Sequence, residues 1–140
     1  MSDVRITVSE RGGRRAASSG SRWEPIIGYS RAVRSGNLIA VTGTVGINAD
    51  GTYSPSVTEQ TRRALEIIQA ALEALGARLE DVIRTRMFVT DISRWEEVAQ
   101  AHGAVFAEIR PATTMVQVAR LIDAGAQIEI EADAVVRFGA

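Results

Sequence analysis

The chain has 140 residues, 46% of them hydrophobic and 24% charged, with a formal net charge of −1. That is the size and balance of one globular domain spanning 1–140, with a sizeable core and no electrostatic footprint for nucleic acid. There is no cysteine and His102 is the only histidine, while every basic residue is an arginine, which excludes disulfides, thiolate and lysine Schiff-base nucleophiles, and cysteine or multi-histidine metal sites.

Arginine stays protonated, so proton transfer falls to a carboxylate, a tyrosine, His102 or bound water. No cofactor and no metal are expected. The opening residues show no apolar leader, and no run approaches membrane-spanning length. The expectation is a cytoplasmic protein without a membrane partner.

In chain order, residues 5–9 alternate weakly and predict a first strand. A Gly/Ser/Arg-rich stretch around 10–22 reads as a flexible loop. Residues 26–34 predict a strand, turned by Ser35-Gly36-Asn37 into a second at 38–42, since Asn and Gly tolerate positive φ. Residues 48–51 form another turn. A helix is predicted over 56–75, with Ser56 and Glu59 as a capping box, Gly76 as the stop, and Val57, Thr61, Ala64, Leu65, Ile68, Leu72 and Leu75 on one stripe. Residues 82–90 predict a strand. Ser93 and Glu96 open a second helix that buries Trp95, Val98, Ala99, His102, Val105, Phe106 and Ile109, and Pro111 ends it. Two strands, about 114–120 and 127–138, close the chain.

The order β-β-β-α-β-α-β-β predicts an α+β fold: a mixed sheet with two helices on one face. Residues 38–41 and 87–89 are apolar on both alternating faces. Two helices cover only one side of such a sheet, so the other needs an apolar partner, most simply another copy of the chain.

The segment from Pro111 through Ala112, Thr113, Thr114, Met115, Val116, Gln117, Val118, Ala119 and Arg120 to Leu121, followed by Gln127-Ile128-Glu129-Ile130-Glu131-Ala132, resembles the closing signature of the RidA/YjgF family of reactive-intermediate deaminases. Similar matches run through Gly28-Tyr29-Ser30-Arg31-Ala32-Val33, Val41-Thr42-Gly43, Gln60-Thr61-Arg62-Arg63-Ala64-Leu65 and Val89-Thr90-Asp91-Ile92. Together they cover roughly residues 26–137, in order and at similar spacing. The resemblance implies a chorismate-mutase-like fold, a homotrimer, and intersubunit clefts that accept small molecules. It also implies that Tyr29 lines the cleft, that Thr42 stands where the family carries serine, and that Glu129 is the acid that orients or activates water. Thr113 stands where the family carries the arginine that grips a substrate carboxylate. Ala99, His102 and Met115 replace the frequent asparagine, tyrosine and cysteine.

Each candidate also has a plainer reading. Glu129, Glu131 and Asp133 alternate with Ile128, Ile130 and Ala132, so all three acids share one side of a strand and suit a solvated face. In a cleft, burial and mutual repulsion would raise at least one pKa and leave it poised for acid–base work. Tyr29 suits a strand as an aromatic. Thr113 and Thr114 suit strands as β-branched residues, or donate hydroxyls to a ligand. His102 reads as packed in its helix, Trp95 as helix packing, and Arg120 as a salt-bridge partner beneath the cleft.

The leading expectation is a hydrolase or deaminase acting on an imine, an enamine or a related metabolite, with Glu129 catalytic and Tyr29, Thr42, Thr113 and Thr114 binding substrate. Weak action on 2-imino acids is expected, with Arg31 or Arg110 as possible replacements for the missing anchor. The alternative is a non-catalytic trimer of the same fold that binds a small molecule. RNA cleavage or translation inhibition ranks last, for want of lysine, a histidine pair and net basic charge.

Overall fold

The computed structural model describes residues 3–137. Its strands are β1 (Thr7–Arg11), β2 (Arg14–Ser18), β3 (Ala32–Ser35), β4 (Leu38–Val45), β5 (Val82–Val89), β6 (Ala112–Gln117) and β7 (Ile128–Val135); its α-helices are α1 (Val57–Ala74) and α2 (Trp95–Phe106). They form one seven-stranded sheet in the order β1-β2-β3-β4-β7-β5-β6. Every neighbouring pair is antiparallel except β5 and β6. A parallel pair requires a crossover, and α2 supplies it.

Both helices cover one face, as expected for this α+β class. Ile39 and Val41 on β4, Met87 and Val89 on β5, and Ile128, Ile130, Ala132 and Ala134 on β7 are buried with Leu65, Ile68 and Leu72 of α1 and Val98 and Phe106 of α2. Period-2 burial on β7 meets period-3.6 burial on α1, the two patterns a sheet–helix core requires. The Ser56 Oγ accepts from the Glu59 amide at 3.2 Å, satisfying one free N–H of α1. Gly76 follows α1 at φ 85°, a conformation that favours glycine.

Four local expectations are corrected. The loop expected around 10–22 contains β2, because Gly12 and Gly13, both at positive φ, turn β1 back on itself in a tight hairpin. The strand expected over 26–34 begins only at Ala32, since Glu24–Gly28 closes a π-helical turn led by Pro25. Ser93 does not cap the second helix: Asp91 caps a 3-10 turn over Ile92–Arg94 through the Ser93 amide, and α2 starts after it. Trp95 is 52% exposed at the first position of α2 and is no part of the core, which begins on that helix at Val98. The last strand was expected to reach Phe138, which lies outside the described residues.

The opposite face of the sheet is open. Directly opposed residues share a face, so Glu129, Phe88 and Val116 form one cross-strand row, and Glu131, Arg86 and Thr114 the next. Leu38 is 52% and Val116 41% exposed there. Among the described residues, no helix is long and apolar enough to cross a membrane.

Candidate functional site

A cavity of about 950 Å³ opens beside this face, where β4 and β7 meet the segments before β3 and after β4 and β6. Tyr29, Arg31, Thr42, Gly43, Phe88 and Glu129 line it. The register between β4 and β7 shifts between Val41 and Thr44. Such a bulge bends the strand and re-aims its side chains, and Thr42 and Gly43 are the residues it displaces. Gly43 is required by proximity: a Cβ there would lie 2.8 Å from Cδ of Glu129. The glycine thus makes room for the carboxyl group.

Of the three acids on β7, two share one arginine. Nη1 of Arg86 lies 3.1 Å from Oε1 of Glu131 and 3.4 Å from Oδ2 of Asp133. Glu129 has no hydrogen-bond or ion-pair partner among the described residues. Burial raises its pKa above the ordinary carboxylate value and repulsion from Glu131 adds to this, while the Arg31 charge partly offsets both. A half-buried, unpartnered carboxyl facing a cavity can exchange a proton with whatever occupies that cavity.

Arg31 is 6% exposed, and every guanidinium nitrogen is engaged. Nε donates to Oγ of Ser19 at 3.1 Å, and Nη1 to the carbonyl of Gly43 at 2.9 Å and to Oγ1 of Thr44 at 3.3 Å. Nη2 donates to the Tyr29 hydroxyl at 3.3 Å and faces Oε2 of Glu24 at 3.6 Å. Glu24 in turn accepts from Oγ of Ser18 at 2.7 Å, Oγ of Ser19 at 2.9 Å and the Ser19 amide at 3.2 Å. Burial would raise the Glu24 pKa, but these donors and Arg31 outweigh it and hold the carboxyl below its ordinary value. The sequence reading missed Glu24. Its only signal is an acid a few residues after Ser18, Ser19 and Ser21, which is common in loops.

The outer wall is tied to α1. Buried Gln60 donates from Nε2 to the carbonyls of Ser54 at 2.8 Å and Gly125 at 3.0 Å, and its Oε1 accepts from the Gln127 amide at 2.8 Å. The Tyr53 hydroxyl donates to Oδ2 of Asp123 at 2.7 Å, and burial, reinforced by that bond, pushes the Tyr53 pKa up.

The structure therefore brings Tyr29, Thr42 and Glu129 around one cavity. Thr113 and Thr114 stand elsewhere, on the edge strand β6, and point to opposite faces. Oγ1 of Thr113 lies 2.8 Å from Oγ1 of Thr85, which lies 2.9 Å from Nε2 of His102. His102 packs on Phe106 with ring centroids 4.7 Å apart, and burial lowers its pKa, so the imidazole is neutral at pH 7. Thr114 is exposed on the open face. Arg110 stands beside His102 at φ 57° and is exposed, without a side-chain partner among the described residues. Among those residues no group of three or more His, Asp or Glu side chains is placed to hold a metal ion.

Comparison with known proteins places these features in a family. The family model described as Endoribonuclease L-PSP matches residues 19–136. The 2-iminobutanoate/2-iminopropanoate deaminase of Escherichia coli K12 is 35% identical over 113 residues, covering 78% of this chain and 88% of the relative. The crystal structure of Rv2704 from Mycobacterium tuberculosis, a member of the YjgF/YER057c/UK114 family, is 50% identical with a TM-score of 0.82, covering 88% of this chain and 99% of that one. Escherichia coli TdcF, solved with bound serine, is 29% identical with a TM-score of 0.73, covering 78% and 88%. The chain belongs to the RidA/YjgF family and has that family's chorismate-mutase-like fold.

Proposed function

We propose that the protein hydrolyses an imine, an enamine or a related carbonyl-derived metabolite in the cavity around Glu129. The observation that carries this reading is the unpartnered, half-buried Glu129 carboxyl in a cavity with Tyr29 and Thr42. Imine hydrolysis adds water across C=N, then expels the nitrogen as ammonia and leaves a carbonyl. As a carboxylate, Glu129 takes a proton from the attacking water and returns it to the departing nitrogen. Tyr29 and Thr42 supply hydroxyls that hold the substrate. The deaminase name of the Escherichia coli relative supports the same reaction class.

The working unit in this reading is a homotrimer, in which the edge strand β6 of one copy, carrying Thr113 and Thr114, lies at the rim of the Glu129 cavity of the next. Thr113 offers one neutral hydroxyl, already bonded to Thr85, in place of a guanidinium fork. Action on 2-iminopropanoate and 2-iminobutanoate is therefore weak, and the preferred substrate is neutral or anchored differently. The same substitution favours a second reading, a trimer of this fold that binds a small molecule without turnover. RNA cleavage ranks last, because neither a histidine pair nor a net basic charge supports it.

Ammonia release from a panel of enzymatically generated imines tests the proposal. Turnover of at least one uncharged imine well above its rate in buffer is expected. Background rates across the panel from a folded oligomer would overturn catalysis, and tight binding without turnover would establish the second reading.

A further inference from the structure

We infer that Arg31 is a positioning residue: it holds Tyr29 so that the phenolic proton faces the cavity, where the ligand is read through a neutral hydrogen-bond acceptor. The inference rests on the cavity being the ligand site, and it specifies which part of a ligand meets its floor.

A phenol has one proton to donate and lone pairs to accept with. The Tyr29 oxygen accepts from Nη2 of Arg31 at 3.3 Å, and the guanidinium carbon stands 5.5 Å from the centre of the tyrosine ring. Arginine accepts nothing, so the phenolic proton turns elsewhere. Among the described residues it has no acceptor, and Tyr29 lines the cavity. A ligand carbonyl oxygen or unprotonated imine nitrogen is the acceptor this proton fits.

The same geometry removes Arg31 as the substitute anion anchor. Its charge is balanced by Glu24 at 3.6 Å, and its remaining donors are held by Ser19, Gly43 and Thr44. A ligand carboxylate would have to displace Glu24, which Ser18 and Ser19 fix from its other side. Breaking a buried pair by removing one partner is costly. The Arg31 bond to the Gly43 carbonyl also braces the bulge against which Glu129 rests. Arg31 thus fixes Tyr29 and the backbone beside Glu129, and its role is to position them.

Two ketones that share a phenylethyl group and differ in one substituent separate positioning from anchoring: 4-phenyl-2-oxobutanoate carries a carboxylate where 4-phenyl-2-butanone carries a methyl. Affinities are measured on the full chain for the wild type, Tyr29→Phe, Arg31→Gln and the double variant, with folding checked by circular dichroism. Tyr29→Phe should weaken both ketones about fivefold, the worth of one neutral hydrogen bond. Arg31→Gln should weaken both by a similar factor, and the double variant should lose little more, because the two residues act as one unit. Loss confined to the keto acid in Arg31→Gln overturns the inference, as does indifference of both ketones to both variants. If Arg31→Gln does not fold, ¹⁵N NMR of the wild-type Arg31 side chain decides. Equal response to both ketones supports positioning, and a shift with the keto acid alone overturns it. Failure of the wild type to bind either ketone overturns the reading of the cavity itself, and the inference with it.

Discussion

At the scale of residues, the site depends on which carboxyl is left without a partner. Arg86 takes Glu131 and Asp133, and Gly43 leaves space for Glu129. Because the folded pKa of Glu129 is raised above its ordinary 4.5, ionising it opposes folding: its contribution is fully favourable below that value and is lost as pH rises through the folded pKa. Glu129→Gln should therefore raise the melting temperature at pH 8 and change it little at pH 4. Equal effects at both pH values would contradict the burial of this carboxyl. Gly43→Ala presses on the movable end of the Glu129 side chain, so it should displace the carboxyl and reduce turnover while leaving stability nearly intact. Thr113 supplies the third test. An arginine–carboxylate contact contributes about 1.5–3 kcal/mol, so Thr113→Arg should raise kcat/KM on 2-iminobutanoate by up to roughly ten- to a hundredfold. Wild-type turnover of that imine equal to an arginine-bearing relative's would show that another group anchors the carboxylate.

At the scale of elements, the site is held by contacts between segments far apart in sequence. Gly46 lies against α1, where a Cβ would come 2.2 Å from the Gln60 carbonyl oxygen. Both sides of that contact are backbone, so Gly46→Ala should cost about 1–3 kcal/mol of stability by chemical denaturation, unlike Gly43→Ala. The Glu24–Arg31 pair adds an acid-sensitive brace. The Glu24 pKa is lowered below 4.5, so its stabilisation is present above that pH and is lost as pH falls through the folded value. Glu24→Gln should thus destabilise the protein at pH 7 and lose its effect in stronger acid. This brace was not legible in the sequence, because residues 24 and 31 are joined by a turn whose direction no periodicity reveals. The alternation of acids on β7 and the stripe of α1 were legible, since each follows the period of its own element. The hairpin of β1 and β2 was hidden because its arginines and serines carry no apolar alternation, and the Gly12-Gly13 turn reads equally as a loop. Trp95 was misplaced because a helical stripe shows which side of α2 is buried but not at which residue along the helix burial begins, and here it begins at Val98.

At the scale of the whole molecule, one sheet face is covered by two helices and the other is open, with Leu38 and Val116 exposed on it. Large apolar residues exposed on an open sheet face are a contact that a second copy can cover. Light scattering at micromolar concentration should give the mass of a trimer, and a stable monomer would contradict the assembly. The expectation of a partner rests on the two-sided apolar character of β4 and β5, whereas the number of copies rests only on the family resemblance. In the proposed trimer, assembly also serves chemistry, because Tyr29, Thr42 and Glu129 occupy one cavity while Thr113 and Thr114 stand on the edge strand of the same chain. The decisive measurement is ammonia release from the best imine of the panel, followed against pH for the wild type and Glu129→Gln. The expected result is a wild-type rate that falls in acid with a midpoint above 4.5 and a variant at least about a hundredfold slower that lacks this limb, as befits removal of a general base. A variant that retains the wild-type rate and pH profile would contradict Glu129 as the group that manages the proton of water.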